Sequence, residues 1–383
     1  MIIDLKQSIN MDEVDGLIVC LGKDTPVPDY LSVPVKQLKE NETFESKIGQ
    51  MQPLSLVYEG KYHEIALIGI GDGDSFAPTK YRKSLAEAFK ALKAKKVKKI
   101  AVEASAVAAC TSIDKKLARM MGETFIMSDY EFNDYKTDAK PSTVTEVSVS
   151  GLELDRDSFE EGKILGETNV FSRYLTNMPA NVMTPEKLAE LAKTYCEASN
   201  IEVEIFEEDA IEAMGMQAYL AVAKASSNPP RLIVMRHKGD PDSDKTVAFV
   251  GKGLTYDSGG LSIKPTASMV TMKDDMGGAS AVISAMGAIG KLNLKVNVTA
   301  VVAACENMIS GMSYKPGDII GSMGGKSIYI GNTDAEGRLT LVDAVTYALE
   351  RENANFVLDI ATLTGAAIHC LGSEAAPVIS NND

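Results

Sequence analysis

Gly331-Asn332-Thr333-Asp334-Ala335-Glu336-Gly337-Arg338-Leu339 is the stretch on which the reading of this chain turns. It sets two carboxylates two residues apart and an arginine two further on, with glycines on both sides. The apolar run before it, Ser327-Ile328-Tyr329-Ile330, predicts a short buried strand. After it, Leu339, Leu341, Val342, Ala344, Val345, Ala348 and Leu349 follow helical spacing. Asp334, Glu336 and Arg338 are therefore expected on a strand-to-helix turn, and in an open α/β sheet ligands bind at the carboxyl ends of strands. Taken alone, Asp334 and Glu336 also fit acidic residues that cap a helix and complement its dipole.

A second cluster lies upstream. Thr246-Val-Ala-Phe-Val-Gly251 is a continuous apolar run, as expected of a parallel strand covered on both faces. It is followed by Lys252-Gly-Leu-Thr-Tyr-Asp257-Ser-Gly-Gly-Leu-Ser-Ile-Lys264-Pro265, whose glycines allow close approach of the backbone to a ligand. Met272-Lys-Asp274-Asp275-Met-Gly-Gly then precedes a helix predicted over 279–289. A helix cap explains Asp275 by itself equally well. Together, however, Asp257, Asp275, Asp334 and Glu336 are four carboxylates expected at strand ends and helix starts of one sheet. Such a group cannot share a pocket in ionised form unless cations neutralise it. Two divalent metals about 3.5–4 Å apart would do so. Lys252 can join them only as a neutral amine, its pKa depressed by the ions and by burial.

Other motifs carry less. Gly69-Ile-Gly-Asp-Gly-Asp74 resembles a dinucleotide loop but has Asp74 where the third glycine belongs, and reads as a strand-end turn. Gly321-Ser-Met-Gly-Gly-Lys326-Ser327 is one residue short of a phosphate loop and leads into a strand where that motif requires a helix. The lysines between Lys90 and Lys99 read as a solvated helix end, with no aromatic residue among them to stack on bases. His237, at the end of the strand predicted from Arg231, is expected at the surface.

The first part of the chain alternates strand-like and helical segments, with a polar stretch over 136–154 and a helix from about 159 to 175. This predicts an α/β protein of two domains. A smaller N-terminal α/β domain spans 1–155, and a larger catalytic α/β domain with a central mixed, mostly parallel sheet spans 156–383. The 383 residues suffice for both. A net charge of −14 argues against a nucleic-acid partner, which requires a basic face. Five scattered cysteines without a CxxC pair fit buried thiols in a reducing compartment better than a disulfide framework, and three histidines oblige any metal site to rely mainly on oxygen ligands. The N-terminus has no signal-peptide pattern, and no apolar run approaches a membrane span. A cytoplasmic protein is expected.

Asn332-Thr-Asp-Ala-Glu-Gly-Arg-Leu339, the 251–265 segment and Asp275-Met-Gly-Gly278 resemble, in the same order, the motifs of the leucyl (cytosol) aminopeptidase family of two-metal exopeptidases. Asn177-Met-Pro-Ala-Asn181 resembles the family's domain junction. The resemblance implies that Lys252, Asp257, Asp275 and Glu336 hold one metal. It implies that Asp257, Asp334 and Glu336 hold the other, zinc and manganese both suiting the set. Lys264 would donate to the scissile carbonyl, and Arg338 would hold a bicarbonate ion as general base toward a metal-bridging hydroxide. Met272, Thr362 and Gly365 would line the pocket for the first side chain, leucine and similar residues, with broad specificity. The family also implies a homohexamer acting on peptides.

Family members continue past the point matching Asp383. On that ground the pocket is expected to lack one wall, and a chain ending there to have reduced or absent peptidase activity.

Overall fold

A computed structural model describes residues 1–381; the last two residues of the expected catalytic domain lie outside it. The chain divides into two compact units, Met1–Val170 and Phe171–Asp383. The first contains strands β1 (Ile2–Leu5), β2 (Gly16–Gly22), β3 (Met51–Tyr58), β4 (Lys61–Gly71), β5 (Lys99–Glu103) and β6 (Glu146–Ser150). Its helices are α1 (Ser32–Glu40), α2 (Pro78–Ala94) and α3 (Lys115–Asp129), and α4 (Arg156–Asn177) runs through the division between the units. The strand order is β1-β6-β5-β2-β4-β3, all parallel except the edge strand β3. The inner strands β2, β4 and β5 are largely apolar on both faces because both are covered. On β2, Ile18 and Cys20 pack into the core beneath α2 and α3, while Leu17, Val19 and Leu21 pack into the core beneath α1.

The second unit holds α5 (Pro185–Glu197), β7 (Glu202–Phe206), α6 (Glu208–Ala213), α7 (Gln217–Ala223), β8 (Arg231–Lys238), β9 (Thr246–Asp257), α8 (Thr266–Met269) and α9 (Gly277–Lys291). β10 (Asn297–Asn307), β11 (Ile319–Ile320), β12 (Ile328–Tyr329), α10 (Gly337–Glu350), β13 (Phe356–Ile360) and α11 (Ala366–Leu371) complete it. Five strands form one mixed sheet in the order β13-β9-β10-β8-β7. β9 runs parallel to both of its neighbours, whereas β8 pairs antiparallel with β10 and β7. Thr184 caps α5 as its position predicts, accepting from the Lys187 amide at 3.2 Å.

Three local expectations change. The strand leading into the 331–339 stretch is not part of the central sheet: β12 pairs only with β11 in a two-stranded ribbon, and Tyr329 is exposed. Two residues of apolar character pack onto a sheet edge as readily as into its interior, so the short run did not distinguish them. β9 does not end before Lys252 but continues to Asp257, carrying both site residues on the strand itself. His237 is buried, its Nε2 in a 2.8 Å hydrogen bond with the Leu294 carbonyl, because β8 lies inside the sheet rather than at its edge. Gly321–Ser327 forms the turn between β11 and β12, not a phosphate cradle.

Candidate metal centre

The site lies at the carboxyl end of the parallel strands. Asp257 ends β9, Asn307 ends the neighbouring β10, and Thr362 follows β13 on the other side. Asp334 and Glu336 enter from the turn before α10, Asp275 from the short turn before α9. Between Cys305 and Glu306 the β9–β10 register slips by one residue, leaving Thr255 unpaired. This bulge brings Asp257, rather than Tyr256, opposite Asn307.

One oxygen from each of Asp257, Asp334 and Glu336 lies within 4.8 Å of the others. Asp275 joins them through Lys252, whose Nζ donates to Asp275 Oδ1 at 2.8 Å and lies 2.9 Å from Glu336 Oε1. Lys264 Nζ is 2.8 Å from Asp257 Oδ2 and 2.6 Å from Asp334 Oδ1. Asp257, Asp275, Glu336 and Lys252 are buried; Asp334 and Lys264 are half-buried.

The capping alternative fails for two of the acids. Glu336 stands at the position preceding α10 but makes no side-chain cap bond, and neither Asp275 nor Met276 caps α9 with its side chain. Gly337 leaves room for the Lys252 side chain: a Cβ there would sit 2.6 Å from Lys252 Cε. Gly259, in the left-handed region with φ of 86°, turns its amide back to Asp257 Oδ1 at 2.9 Å.

The electrostatics ask for more positive charge than the chain provides. Four carboxylates face two ammonium groups, which leaves −4 + 2 = −2 when all are ionised. Glu336 Oε2 is buried without a hydrogen-bond partner among the described residues. Burial raises the Asp275 and Glu336 carboxyls above their ordinary values; Lys252 opposes this without offsetting it, and the Asp257 charge adds to it. Burial pushes Lys252 down, but Asp275 and Glu336 outweigh it and hold the amine above its usual value. Burial likewise works against the Lys264 ammonium, and Asp257 and Asp334 raise it. Oxygen donors in excess of counter-charge, one of them unpartnered, fit divalent cations. Cations on the carboxylates would cancel the interactions that keep Lys252 protonated and free it as a neutral donor.

The other expected residues fall as follows. Arg338 is exposed on the first turn of α10 and makes no ion pair among the described residues. Thr362 sits against the cluster: its hydroxyl donates to Asp275 Oδ1 at 2.8 Å, and its carbonyl accepts from Lys252 at 3.2 Å. Met272 opens the turn that ends at Asp275, and Gly365 is exposed just before α11. Sequence reasoning missed Asn307, Tyr314 and the role of Thr333. Asn307 and Tyr314 both donate to the Thr333 carbonyl, at 3.0 and 2.7 Å, and the Thr333 hydroxyl donates to Gly259 O at 2.7 Å. The available signal was a polar pair, Glu306-Asn307, closing a long apolar strand.

Comparison with known proteins gives the family. The profile of the cytosol aminopeptidase family catalytic domain matches residues 170–383, and that of the family's N-terminal domain matches 30–139. A probable cytosol aminopeptidase of Clostridium perfringens is 45% identical over 381 residues, covering 97% of this chain and 77% of that protein. One from Clostridium tetani is 44% identical over 350 residues, covering 90% and 72%. Among solved structures, a tomato leucine aminopeptidase variant superposes with a TM-score of 0.82 at 32% identity, covering 97% of this chain and 75% of that one. The bottromycin maturation enzyme in complex with Mn superposes with a TM-score of 0.82 at 28% identity, covering 94% and 74%. With both profiles matched in order and a relative 45% identical over nearly the whole chain, the chain belongs to the cytosol aminopeptidase family.

Proposed function

We propose that this chain is a two-metal aminopeptidase that removes the N-terminal residue, leucine and similar side chains, from peptides. The observation that carries the reading is the convergence of Asp257, Asp334 and Glu336 within 4.8 Å, with Glu336 Oε2 unpartnered. Lys252, Asp257, Asp275 and Glu336 would hold one ion and Asp257, Asp334 and Glu336 the other, zinc or manganese. When bound, the two ions supply Lewis-acid polarisation of the scissile carbonyl, an acidified water as nucleophile and an anchor for the substrate's free amine. Lys264 donates to the carbonyl oxygen as negative charge builds there, a role its position beside Asp257 and Asp334 supports. Arg338, exposed and free of ion pairs among the described residues, is suited to hold bicarbonate as proton acceptor.

Met272, Thr362 and Gly365 form part of the wall for the first side chain. An apolar wall discriminates by only about 1–3 kcal/mol per methylene, so specificity is broad. The protein works on peptides in the cytoplasm as a homohexamer; sedimentation of the purified protein tests the assembly. Among the described residues no helix is long and apolar enough to cross a membrane.

The test is metal analysis joined to a leucine-amide assay. About two equivalents of Zn or Mn per chain, with activity lost on chelation and restored by readdition, is the expected result. Full turnover by a thoroughly chelated sample overturns the reading.

A further inference from the structure

We infer that Asn307 is a positioning residue that holds Asp257 at a set distance from the 333–336 segment and so fixes the spacing of the two ions. The inference rests on the two-metal reading above. Asn307 is fully buried at the end of β10. Its Nδ2 donates to Asp257 Oδ1 at 2.8 Å and to the Thr333 carbonyl at 3.0 Å. Both partners are acceptors, so only this amide orientation fits; the flipped amide would set its oxygen against a carboxylate and a carbonyl.

The two acceptors belong to different arms of the ligand set. Asp257 comes from β9, whereas Thr333 directly precedes Asp334 on the turn into α10. Lys264 also spans the two arms, 2.8 Å from Asp257 Oδ2 and 2.6 Å from Asp334 Oδ1, but it does so as a half-buried ammonium that the two-metal reading assigns to the substrate carbonyl, whereas Asn307 is a fully buried neutral amide. Thr333 reaches the 259–262 loop beyond Asp257, accepting from the Ser262 amide at 2.8 Å, and Tyr314 touches only the Thr333 carbonyl. The β9 bulge is what sets Asn307 opposite Asp257, so the strand irregularity and the amide act together. The amide oxygen of Asn307, Oδ1, is buried without a hydrogen-bond partner among the described residues, a cost that the two bonds donated by Nδ2 offset.

Outer hydrogen-bond partners of metal ligands orient them, and their loss typically costs about 10–100-fold in metal affinity. The test uses the full chain with Asn307→Ala and the isosteric Asn307→Asp, which replaces the donors with acceptor oxygens. Tyr314→Phe is the control, since it removes a donor to Thr333 but none to Asp257. Calorimetric titration with Mn and the visible absorption of the Co-loaded protein report on the site, and melting of the chelated protein reports on the fold.

The wild type is expected to take up two ions, and both Asn307 variants to weaken binding by about 10–100-fold with an altered Co spectrum. Tyr314→Phe is expected to keep the wild-type affinity and spectrum. A wild type that binds no pair of ions defeats the two-metal reading itself. A wild type that binds two, with Asn307 variants no weaker than Tyr314→Phe, overturns the role given to Asn307 alone. Failure of both Asn307 variants to fold overturns it as well, because the residue would then hold the fold rather than the ligand.

Discussion

At the residue scale, the site depends on charges that cannot balance themselves. Glu336 contacts Lys252 through one oxygen and leaves the other bare, so it has capacity for two partners. Glu336→Ala is expected to abolish metal uptake and turnover together. Lys264→Ala should keep the metal content and lower kcat by about 10²–10³-fold, the usual cost of a donor to a developing oxyanion. If Lys264→Ala empties the site instead, its assigned role is wrong.

Protons compete with the ions at the raised carboxyls. Asp275 and Glu336 have native pKa values above their unfolded ones, so in the metal-free protein they cost stability at neutral pH, and the cost is relieved as pH falls. Bound cations reverse the preference and favour the ionised forms. The melting-temperature gap between loaded and chelated protein should therefore narrow as pH drops from about 8 to about 5.5. A gap that stays constant across that range would remove the linkage between these carboxyls and the ions.

At the element scale, what matters is how α10 and α7 are locked to the sheet. Asp343 on α10 is fully buried and is not part of the metal cluster. It accepts from the Tyr219 amide at the start of α7 and from the Met323 amide in the turn after β11, each at 2.9 Å. It thus caps one element from another and anchors the helix that carries Glu336 at its head. Asp343→Ala leaves two amide donors without an acceptor and should cost about 2–3 kcal/mol in chemical unfolding. Two ions per chain are still expected in that variant. An unchanged unfolding midpoint would show that water replaces the carboxylate without cost.

At the scale of the whole molecule, the proposed chemistry belongs to one of the two units. Every proposed ligand lies in Phe171–Asp383. Metal loading should slow amide hydrogen exchange along the ends of β9 and β10 and over 333–337, and leave Met1–Val170 unchanged. Protection spread evenly over both units would contradict a centre confined to the second. In the first unit Lys93 lies 2.9 Å from both Asp129 and Glu131, and Lys99 lies 3.4 Å from Glu146, so the lysine run is partly neutralised by its own unit.

The chain's own order of residues determined the fold class and the family, and it singled out the carboxylates proposed as ligands. Local period showed β2, β4, β9 and α10, because a side chain's position on its own strand or helix repeats every 2 or 3.6 residues. The motifs around Asp257, Asp275 and Asp334 named the carboxylates, since few other uses require so many acids beside glycines. What local period cannot report is which other element a face meets. That β12 leaves the sheet, that His237 is buried, that Asp343 caps a helix more than a hundred residues away and that a bulge turns Asp257 toward Asn307 were settled only by packing. Each depends on a partner distant in the chain, where the free energy of the pairing, not the propensity of either segment, selects the outcome.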